Sequence, residues 1–386
     1  MKKTFLKILL CLTAVALLCV SLTGCAKSNW DKSDVTLKDW GAVVEANNGS
    51  FVAETANYVY YINGIGDAEE DNTFGMPIRG ALMAADKSDF TKKCVVVPKL
   101  FVAEDYKAGV YIFGDYVYYG SPSVNKNSSG EIAKDELFFS RTKLDGTVTD
   151  NYFSVSGLDT EYRIVKTGDD VYIVYYDSAA SALKVYNTTN RKAEIICKTD
   201  VKAEARSLSE YKFVDNSDAN NAVLLYTVTV YSEAYNAKDA ENSSYSRPTY
   251  SYNELYVYKA GDVTEGECKG VKVFDGNTVP AKTYSVVRLS NELVFFKTTE
   301  ATATSEAKYY ASTVADLYAK NEGAITEITD TTYVVGESDA DISANNLIIN
   351  LNKVYAYVGN TIKVSTITGN VIEEEKTLAK DITANE

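Results

Sequence analysis

The side chains with the most suggestive spacing for chemistry lie near the C-terminal end of the chain. Asp339, Asp341, Ser343 and Asn345 place oxygen atoms at alternate positions, as the first ligands of a calcium-binding loop do. However, Ala344 stands where an EF-hand loop requires glycine, and an asparagine replaces the bidentate glutamate that ends such a loop. The sequence therefore predicts no cofactor, and calcium at these residues stays the alternative.

The residue types of the chain exclude several kinds of catalytic site. The chain contains no histidine, which excludes Ser-His-Asp and Cys-His hydrolytic sites. It also lacks a Gly-x-Ser-x-Gly turn, a phosphate-binding loop and a dinucleotide-binding glycine motif. A glycosidase needs only two carboxylates, and the chain has 53 acidic residues. We therefore predict that the protein is not an enzyme, with a carbohydrate-active enzyme as the alternative.

Two polar segments have the composition of recognition loops. The first contains an acidic cluster, and the second contains tyrosines among serines and asparagines: Asp67, Glu69, Glu70 and Asp71, then Tyr235, Tyr245, Tyr250 and Tyr252. Mixtures of Tyr, Ser and Asn are typical of adaptable protein-recognition loops, and exposed aromatic rings could equally stack on sugars. The alternative is a flexible loop of low complexity.

Three cysteines follow residue 25, namely Cys94, Cys197 and Cys268. Their spacing is wide and contains no Cys-x-x-Cys zinc motif. Three thiols cannot form a closed disulfide framework, so we expect each to fill a strand or a turn as a small apolar side chain.

The elements that must position these residues are repeated pairs of apolar strands. Residues 109–120 read GVYIFGDYVYYG, and residues 161–176 read EYRIVKTGDDVYIVYY. Each is an alternating strand, a polar turn and a strand rich in Tyr and Val, as in a β-hairpin. The pattern occurs six times, with second strands that begin near Tyr58, Tyr116, Val171, Val223, Leu293 and Val354. A loose spacing of 52 to 70 residues is typical of propeller blades with variable loops.

The second half of each unit holds another hairpin, often closed by an Asp-Gly or Gly-Asn turn such as Leu144-Asp145-Gly146. About four strands per unit predict an all-β chain, a β-propeller of six or seven four-stranded blades that forms one domain over residues 37–386. The Tyr-Val-Tyr-Tyr strand and the Leu-Asp-Gly turn resemble the divergent propeller repeats of Firmicute cell-surface proteins, which are similar to the low-density-lipoprotein-receptor propeller. The resemblance covers residues 49–380 and implies the same fold.

The first 24 residues have the three parts of a secretory signal peptide. Lys2, Lys3 and Lys7 precede an apolar run over residues 8–22, and this run is shorter than the ~20 residues of a membrane-spanning helix. Leu22-Thr23-Gly24-Cys25 then resembles the bacterial lipobox. The resemblance implies that residues 1–24 are removed and that Cys25 carries a diacylglyceryl group, which anchors a chain stably to a membrane. Residues 25–36 would be a short linker.

Charge limits the partners of the mature chain. Removal of three lysines changes the formal net charge from −14 to −17, which argues against nucleic acid as a partner. We expect an extracytoplasmic protein that is anchored to the bacterial cell membrane through Cys25.

Four long insertions fall between the second and third strands of their units: Gly64–Pro77, Ser121–Asp135, Ser232–Asn253 and Glu300–Lys308. In a propeller such loops share one face, where insertions often build a binding surface. The leading hypothesis is therefore a non-catalytic platform that binds a surface protein or a glycan. A transporter's solute-binding lipoprotein is a third reading, but such proteins are α/β.

Two further segments allow a structural prediction. We predict that residues 35–45 pair as a strand with the last unit and close the ring. Residues 307–323 carry apolar side chains at near-helical spacing with Gly323 as a stop, but alignment of the repeats favours a strand and a turn over Asp316–Gly323. We predict the strand, with a helix as the alternative.

Overall fold

The computed structural model describes residues 37, 39–41, 43–44, 52–62, 81–97, 109–122, 136–157, 160–199, 206–214, 222–231, 251–262, 266–278, 280–290, 293–300, 306–328, 347–350, 353–358, 361–368, 371–372 and 376–379. These residues form 26 strands, one short α-helix and one 3-10 turn. The strands belong to six antiparallel sheets.

Sheets 1 to 3 follow one another along the chain. Sheet 1 contains β1 (Val43–Val44), β2 (Val52–Thr55), β3 (Tyr58–Ile62), β4 (Leu82–Asp86) and β5 (Asp89–Val97). Sheet 2 contains β6 (Tyr111–Phe113), β7 (Tyr116–Pro122), β8 (Glu136–Lys143) and β9 (Thr149–Ser156). Sheet 3 contains β10 (Tyr162–Thr167), β11 (Asp170–Asp177), β12 (Ala182–Asn187) and β13 (Lys192–Lys198).

Sheets 4 to 6 repeat this order. Sheet 4 contains β14 (Arg206–Phe213), β15 (Ala222–Tyr231), β16 (Ser251–Lys259) and β17 (Val271–Asp275). Sheet 5 contains β18 (Lys282–Ser290), β19 (Leu293–Glu300), β20 (Lys308–Thr313) and β21 (Thr326–Ile328). Sheet 6 contains β22 (Leu347–Asn350), β23 (Lys353–Val358), β24 (Thr361–Thr368), β25 (Val371–Ile372) and β26 (Lys376–Ala379).

The predicted repeat is confirmed strand by strand. The second strands of the six four-stranded units begin at Tyr58, Tyr116, Asp170, Ala222, Leu293 and Lys353. Each start lies within one residue of the position expected from the sequence. Consecutive strands pair with each other in every sheet, except that β26 of sheet 6 pairs with β24, because short turns between alternating apolar strands favour antiparallel hairpins. In the β10–β11 turn, Gly168 has φ +61°, a backbone conformation that side chains with a Cβ rarely adopt.

Consecutive sheets pack face to face. Four apolar cores join sheet 1 to sheet 2, sheet 2 to sheet 3, sheet 3 to sheet 4, and sheet 4 to sheet 5. All five residues of β3 are buried for this reason, whereas the first four residues of the outer strand β13 are exposed. Six antiparallel sheets of four or five strands follow one another along the chain, sheets 1 to 5 joined through shared cores, and this is the architecture of a β-propeller.

Residues 307–323 correct one expectation. β20 ends at Thr313, and α1 (Val314–Ala319) and a 3-10 turn (Glu322–Ala324) follow it, so the predicted strand over Asp316–Gly323 is wrong. The Thr313 side chain accepts a hydrogen bond from the Asp316 backbone N–H at 3.0 Å, which caps the helix. Val314 and Leu317 are buried in the core between sheets 4 and 5, so local capping and packing outweigh the repeat.

The segment around β1 corrects another expectation. β1 pairs with β2 inside sheet 1, with Val43 opposite Thr55, and not with the last unit as predicted. A hydrogen bond from the Asn57 backbone N–H to the Trp40 carbonyl, at 3.2 Å, holds the approach to β1 against the β2–β3 turn. The nearest open strand edge is therefore the one that β1 uses.

The antiparallel order gives every sheet two distinct ends. Because β1 is a two-residue strand added at the edge of sheet 1, β2 is counted as the first strand of that sheet. The first-to-second and third-to-fourth strand connections then lie at one end, which we call the turn end. The second-to-third connections lie at the other, which we call the insertion end. The four predicted insertions connect β3 to β4, β7 to β8, β15 to β16 and β19 to β20, so all four belong to the insertion end as expected.

Candidate functional site

Most of the residues singled out in the sequence lie outside the described residues. They are Cys25, Asp67, Glu69, Glu70, Asp71, Tyr235, Tyr245, Tyr250, Asp339, Asp341, Ser343 and Asn345. Tyr252 is described, and it corrects a boundary, because it lies in β16 opposite Val230 of β15 and not in a loop. Its side chain is half-buried, and burial, followed by the nearby charge of Glu254, raises the pKa of Tyr252. Among the described residues, no group of three or more acidic or cysteine side chains could hold a metal ion.

A buried ionic group lies at the insertion end of sheet 4. We call it the Glu254 cluster: Arg206, Glu254, Tyr256, Lys272 and Asp275. The Glu254 side chain is 1% exposed. Its Oε2 lies 2.5 Å from Arg206 Nη1 and accepts a hydrogen bond from Tyr256 Oη at 2.8 Å. Lys272 Nζ lies 2.9 Å from Glu254 Oε1 and 2.8 Å from Asp275 Oδ2. The cluster joins the first, third and fourth strands of the sheet.

The opposite charges in the Glu254 cluster stabilise one another. Burial alone would lower the pKa of Arg206 and of Lys272, but their carboxylate partners raise both. Partial burial would raise the pKa of Asp275, but the hydrogen bond from Lys272 outweighs it, and the pKa is lowered. A glycosidase acid needs a carboxyl group with a raised pKa. Asp275 shifts in the opposite direction, which favours a stabilising role for the cluster over catalysis.

A polar groove lies between sheets 2 and 3. We call it the 2–3 groove. It encloses about 310 Å³, and eight residues line it: Tyr118, Arg141, Tyr152, Asp169, Val171, Thr188, Thr189 and Arg191. Asp169 lies in the β10–β11 turn, and Thr188 to Arg191 lie between β12 and β13. The groove therefore opens at the turn end, which is opposite to the end that carries the insertions.

The two guanidinium groups of the 2–3 groove have different surroundings. Arg141 is neutralised by Asp150, whose Oδ2 lies 2.9 Å from Nε and 2.8 Å from Nη2. Arg141 also stacks over Tyr116 at 4.2 Å from the ring centroid. Arg191 is exposed, stacks over the Tyr152 ring at 5.4 Å, and donates to a backbone carbonyl at 3.3 Å. Within the described residues, Arg191 has no carboxylate partner, so its charge is available to a ligand.

Tyr152 supplies the floor of the groove, on which Arg191 stacks. Its hydroxyl is buried and makes no hydrogen bond of standard geometry. The neighbouring Thr188 hydroxyl donates to the Val171 carbonyl at 2.9 Å. Burial raises the pKa of Tyr152 above its ordinary value of 10.0, so the phenol stays protonated at neutral pH. The arrangement offers a guanidinium group, held on an aromatic ring, to a bound molecule.

Sequence reasoning did not find the 2–3 groove, because its residues come from two units and mostly from turns. One signal was present. The chain has only seven arginines among its 39 basic residues, and two of the seven line the groove. Arginine presents a planar fork that suits carboxylate recognition and stacking on aromatic rings.

The structure also brings together two of the cysteines. Cys197 Sγ and Cys268 Sγ lie 3.3 Å apart, although 71 residues separate them in the sequence. Cys197 lies in β13 and Cys268 in the bend over residues 266–270, as small side chains in a strand and a turn were expected to, but their contact with each other was not expected. Pairing across two sheets cannot be read from spacing along the chain.

Within the described part of the chain, none of the helical segments has the length and apolar character needed to cross a bilayer. The sole helix found there has six residues. The α/β architecture that a transporter's solute-binding lipoprotein would require is therefore not what these residues form.

Known proteins resemble this chain only distantly. No family model matches the chain, and no curated protein matches it. Among solved structures, oligogalacturonate lyase from Vibrio parahaemolyticus is 10% identical with a TM-score of 0.34, over 84% of this chain and 86% of that chain. Polysaccharide lyase Uly1 is 8% identical with a TM-score of 0.33, over 90% and 85%. TolB from Acinetobacter baumannii is 12% identical with a TM-score of 0.31, over 83% of this chain, which spans only 62% of that structure. Similarity at this level assigns no activity to the chain.

Proposed function

We propose that the protein is a non-catalytic binding platform, held outside the cell by a lipid on Cys25, and that the 2–3 groove binds an acidic saccharide. The observation that supports the ligand is Arg191, a guanidinium group without a carboxylate partner in the described residues, stacked on the Tyr152 ring. The carboxylate of such a sugar can pair with the exposed guanidinium group. A volume of about 310 Å³ is at the small end for ligand sites, which suits one or two sugar residues.

The groove prediction is tested with uronate-containing and neutral oligosaccharides against the full-length chain in detergent. Arg191 has φ +57°, so we choose Arg191→Asn, because asparagine tolerates this conformation. Loss of a charged hydrogen bond is worth about 1.5 to 3 kcal/mol, so affinity for the uronate oligosaccharide is expected to fall roughly 10-fold or more. Titration calorimetry measures the change.

The matched control for this experiment is Lys192→Gln, which removes an adjacent positive charge that does not line the groove. Its affinity should equal that of the wild type. Equal losses in the two variants, or the absence of uronate binding, would overturn the groove assignment. Cleavage of the oligosaccharide during the titration would instead favour the carbohydrate-active enzyme.

The anchor is proposed from the lipobox-like residues Leu22-Thr23-Gly24-Cys25. Cys25→Ser removes the lipid acceptor, and weak surface contacts cannot replace two acyl chains. Cys25→Ser also keeps the apolar residues 8–22, because the lipobox cysteine directs their removal. Mass spectrometry is therefore expected to find a diacylglyceryl group on residue 25 of the wild type and of Cys94→Ser, and none on Cys25→Ser. A wild-type Cys25 without lipid would contradict the proposal.

The four insertions were favoured as a partner-binding surface, and they fall largely outside the described residues. A surface protein bound at the insertion end stays a prediction. Because the groove opens at the opposite end, the two sites would be independent, and a glycan held at the turn end would leave the insertions accessible.

A further inference from the structure

Cys197 and Cys268 form a pair that the proposed function does not use. Cys197 lies near the end of β13 and is fully buried. Cys268 is half-buried in residues 266–270, just before β17. The two Sγ atoms, 3.3 Å apart, span the boundary between sheets 3 and 4. A disulfide requires an S–S distance of about 2.0 Å, so a small side-chain movement would close the gap.

Hydrogen bonds on both sides of the pair fix the approach of the two segments. The Lys269 backbone N–H donates to the Ile196 carbonyl at 2.9 Å, and these residues are the immediate neighbours of the two cysteines. Lys269 also forms an ion pair with Glu194, and its carbonyl accepts a hydrogen bond from Tyr226. The sulfur atoms are therefore held together by backbone and side-chain contacts that do not involve sulfur.

The two thiols differ in exposure and acidity. The hydrogen bond from Cys197 lowers the pKa of Cys268, against an opposing effect of burial, and the charge of Arg206 adds to the lowering. That same hydrogen bond, followed by burial, raises the pKa of Cys197. A more accessible, more acidic thiol beside a buried, less acidic one is the arrangement of thiols that exchange with disulfides.

We propose that Cys197 and Cys268 are a redox-active dithiol, which forms a disulfide between sheets 3 and 4 by exchange with small-molecule disulfides. The Cys268 thiolate attacks one sulfur of the small disulfide, forms a mixed disulfide and releases one small thiolate. Cys197 then loses its proton, attacks the Cys268 sulfur and displaces the second small thiolate. The two protein thiols are oxidised by two electrons, and one small disulfide is reduced to two thiols.

The experiment treats the full-length chain, in detergent, with oxidised glutathione, and then alkylates the remaining thiols before digestion and mass spectrometry. We expect a peptide pair linked through Cys197 and Cys268, lighter by two hydrogen atoms than the reduced pair, with Cys94 alkylated. A closed loop of this length restricts the unfolded chain, so the thermal midpoint should rise by about 5 °C relative to the reduced protein.

Two single variants separate the roles of the thiols. Cys197→Ser leaves Cys268 without a resolving thiol, so the mixed disulfide with glutathione should accumulate on Cys268. In Cys268→Ser the buried Cys197 should gain at least ten-fold less glutathione over the same time. Cys94→Ser is the matched control, and it should form the Cys197–Cys268 link at the wild-type rate. Circular dichroism confirms that each variant keeps its strands.

The proposal is overturned if Cys197 and Cys268 are alkylated to the same extent as Cys94 after oxidation. It is also overturned if glutathione accumulates on Cys197 faster than on Cys268. Neither result depends on ligand binding at the 2–3 groove, so this test stands apart from the test of the proposed function.

Discussion

Replacing Glu254 with alanine is expected to lower the free energy of unfolding by about 3 kcal/mol, at the lower end of the range for a buried ion pair that loses one partner. Glu254 is 1% exposed and compensates both Arg206 and Lys272. Without it, two cations face each other across sheet 4. The two cations are themselves 24% and 38% exposed, so partial hydration keeps the loss from being larger. Urea unfolding of the full-length chain measures the change.

Glu194→Ala is the matched control for this prediction. Glu194 also pairs with a lysine, but its side chain is 63% exposed, and exposed pairs contribute only about 0 to 1 kcal/mol. A Glu254→Ala variant as stable as Glu194→Ala would show that the buried cluster contributes nothing to folding.

The Asp275→Asn variant tests the same cluster through the pH dependence of the free energy of unfolding. Because the pKa of Asp275 is lowered below 3.8 in the folded chain, its contribution is complete above that value and is lost as the pH falls through the folded pKa. The stability difference between wild type and Asp275→Asn should therefore be constant near neutral pH and shrink below 3.8. It should also be smaller than the Glu254→Ala effect, because the Asp275 side chain is 45% exposed.

Asn253→Ala is the second substitution with a large expected effect. The buried Asn253 amide donates to the Tyr284 carbonyl at 2.6 Å, and its Oδ1 accepts from the Tyr284 backbone N–H. One side chain thus supplies both hydrogen bonds that a neighbouring strand would give, and it joins sheet 4 to sheet 5. Each buried backbone group left without a partner costs about 1 to 3 kcal/mol, so a loss of roughly 2 to 4 kcal/mol is expected in urea unfolding.

The control for Asn253→Ala is Asn277→Ala, an exposed asparagine in the connection between β17 and β18. Exposed positions of this kind usually change stability by less than about 0.5 kcal/mol. Gly276, the residue before Asn277, donates its backbone N–H to the Asn253 carbonyl at 3.0 Å. A Cβ at Gly276 would overlap the carbonyl oxygens of Lys282 and Asn253. If Asn253→Ala and Asn277→Ala unfold at the same urea concentration, the side-chain bridge is not what holds the two sheets together.

Local signals predicted the fold well. Alternation of Tyr and Val, and turns with glycine or aspartate, depend on neighbours in the chain, so six units could be placed to within a residue. Where the local signal was mixed, the prediction failed. At residues 307–323 the hydrogen bond between Thr313 and Asp316 caps a helix that the repeat pattern did not contain. Tyr252 belongs to a strand that begins inside a segment predicted to be a polar loop.

The candidate sites could not be predicted in the same way, because each depends on contacts between distant parts of the chain. Arg206 meets Glu254 across 48 residues, and Cys197 meets Cys268 across 71. The 2–3 groove needs Tyr152 from one unit and Arg191 from the next. Composition indicates that such residues exist, but only the packing of one sheet on another decides which of them meet.

The chain-order pairing of strands has a consequence for how the molecule is made. In sheets 1 to 5 each strand's partners lie next to it in the sequence, and in sheet 6 β26 reaches past one short strand to β24, so a sheet can form as soon as its own residues are available, without waiting for a distant segment. Chains rich in local contacts fold quickly and expose few unpaired edges on the way. Each completed sheet then offers its neighbour a surface to condense on, and assembly can proceed outward by nearest-neighbour steps. Such a route suits a polypeptide that, as proposed, crosses a membrane unfolded and must fold on the far side.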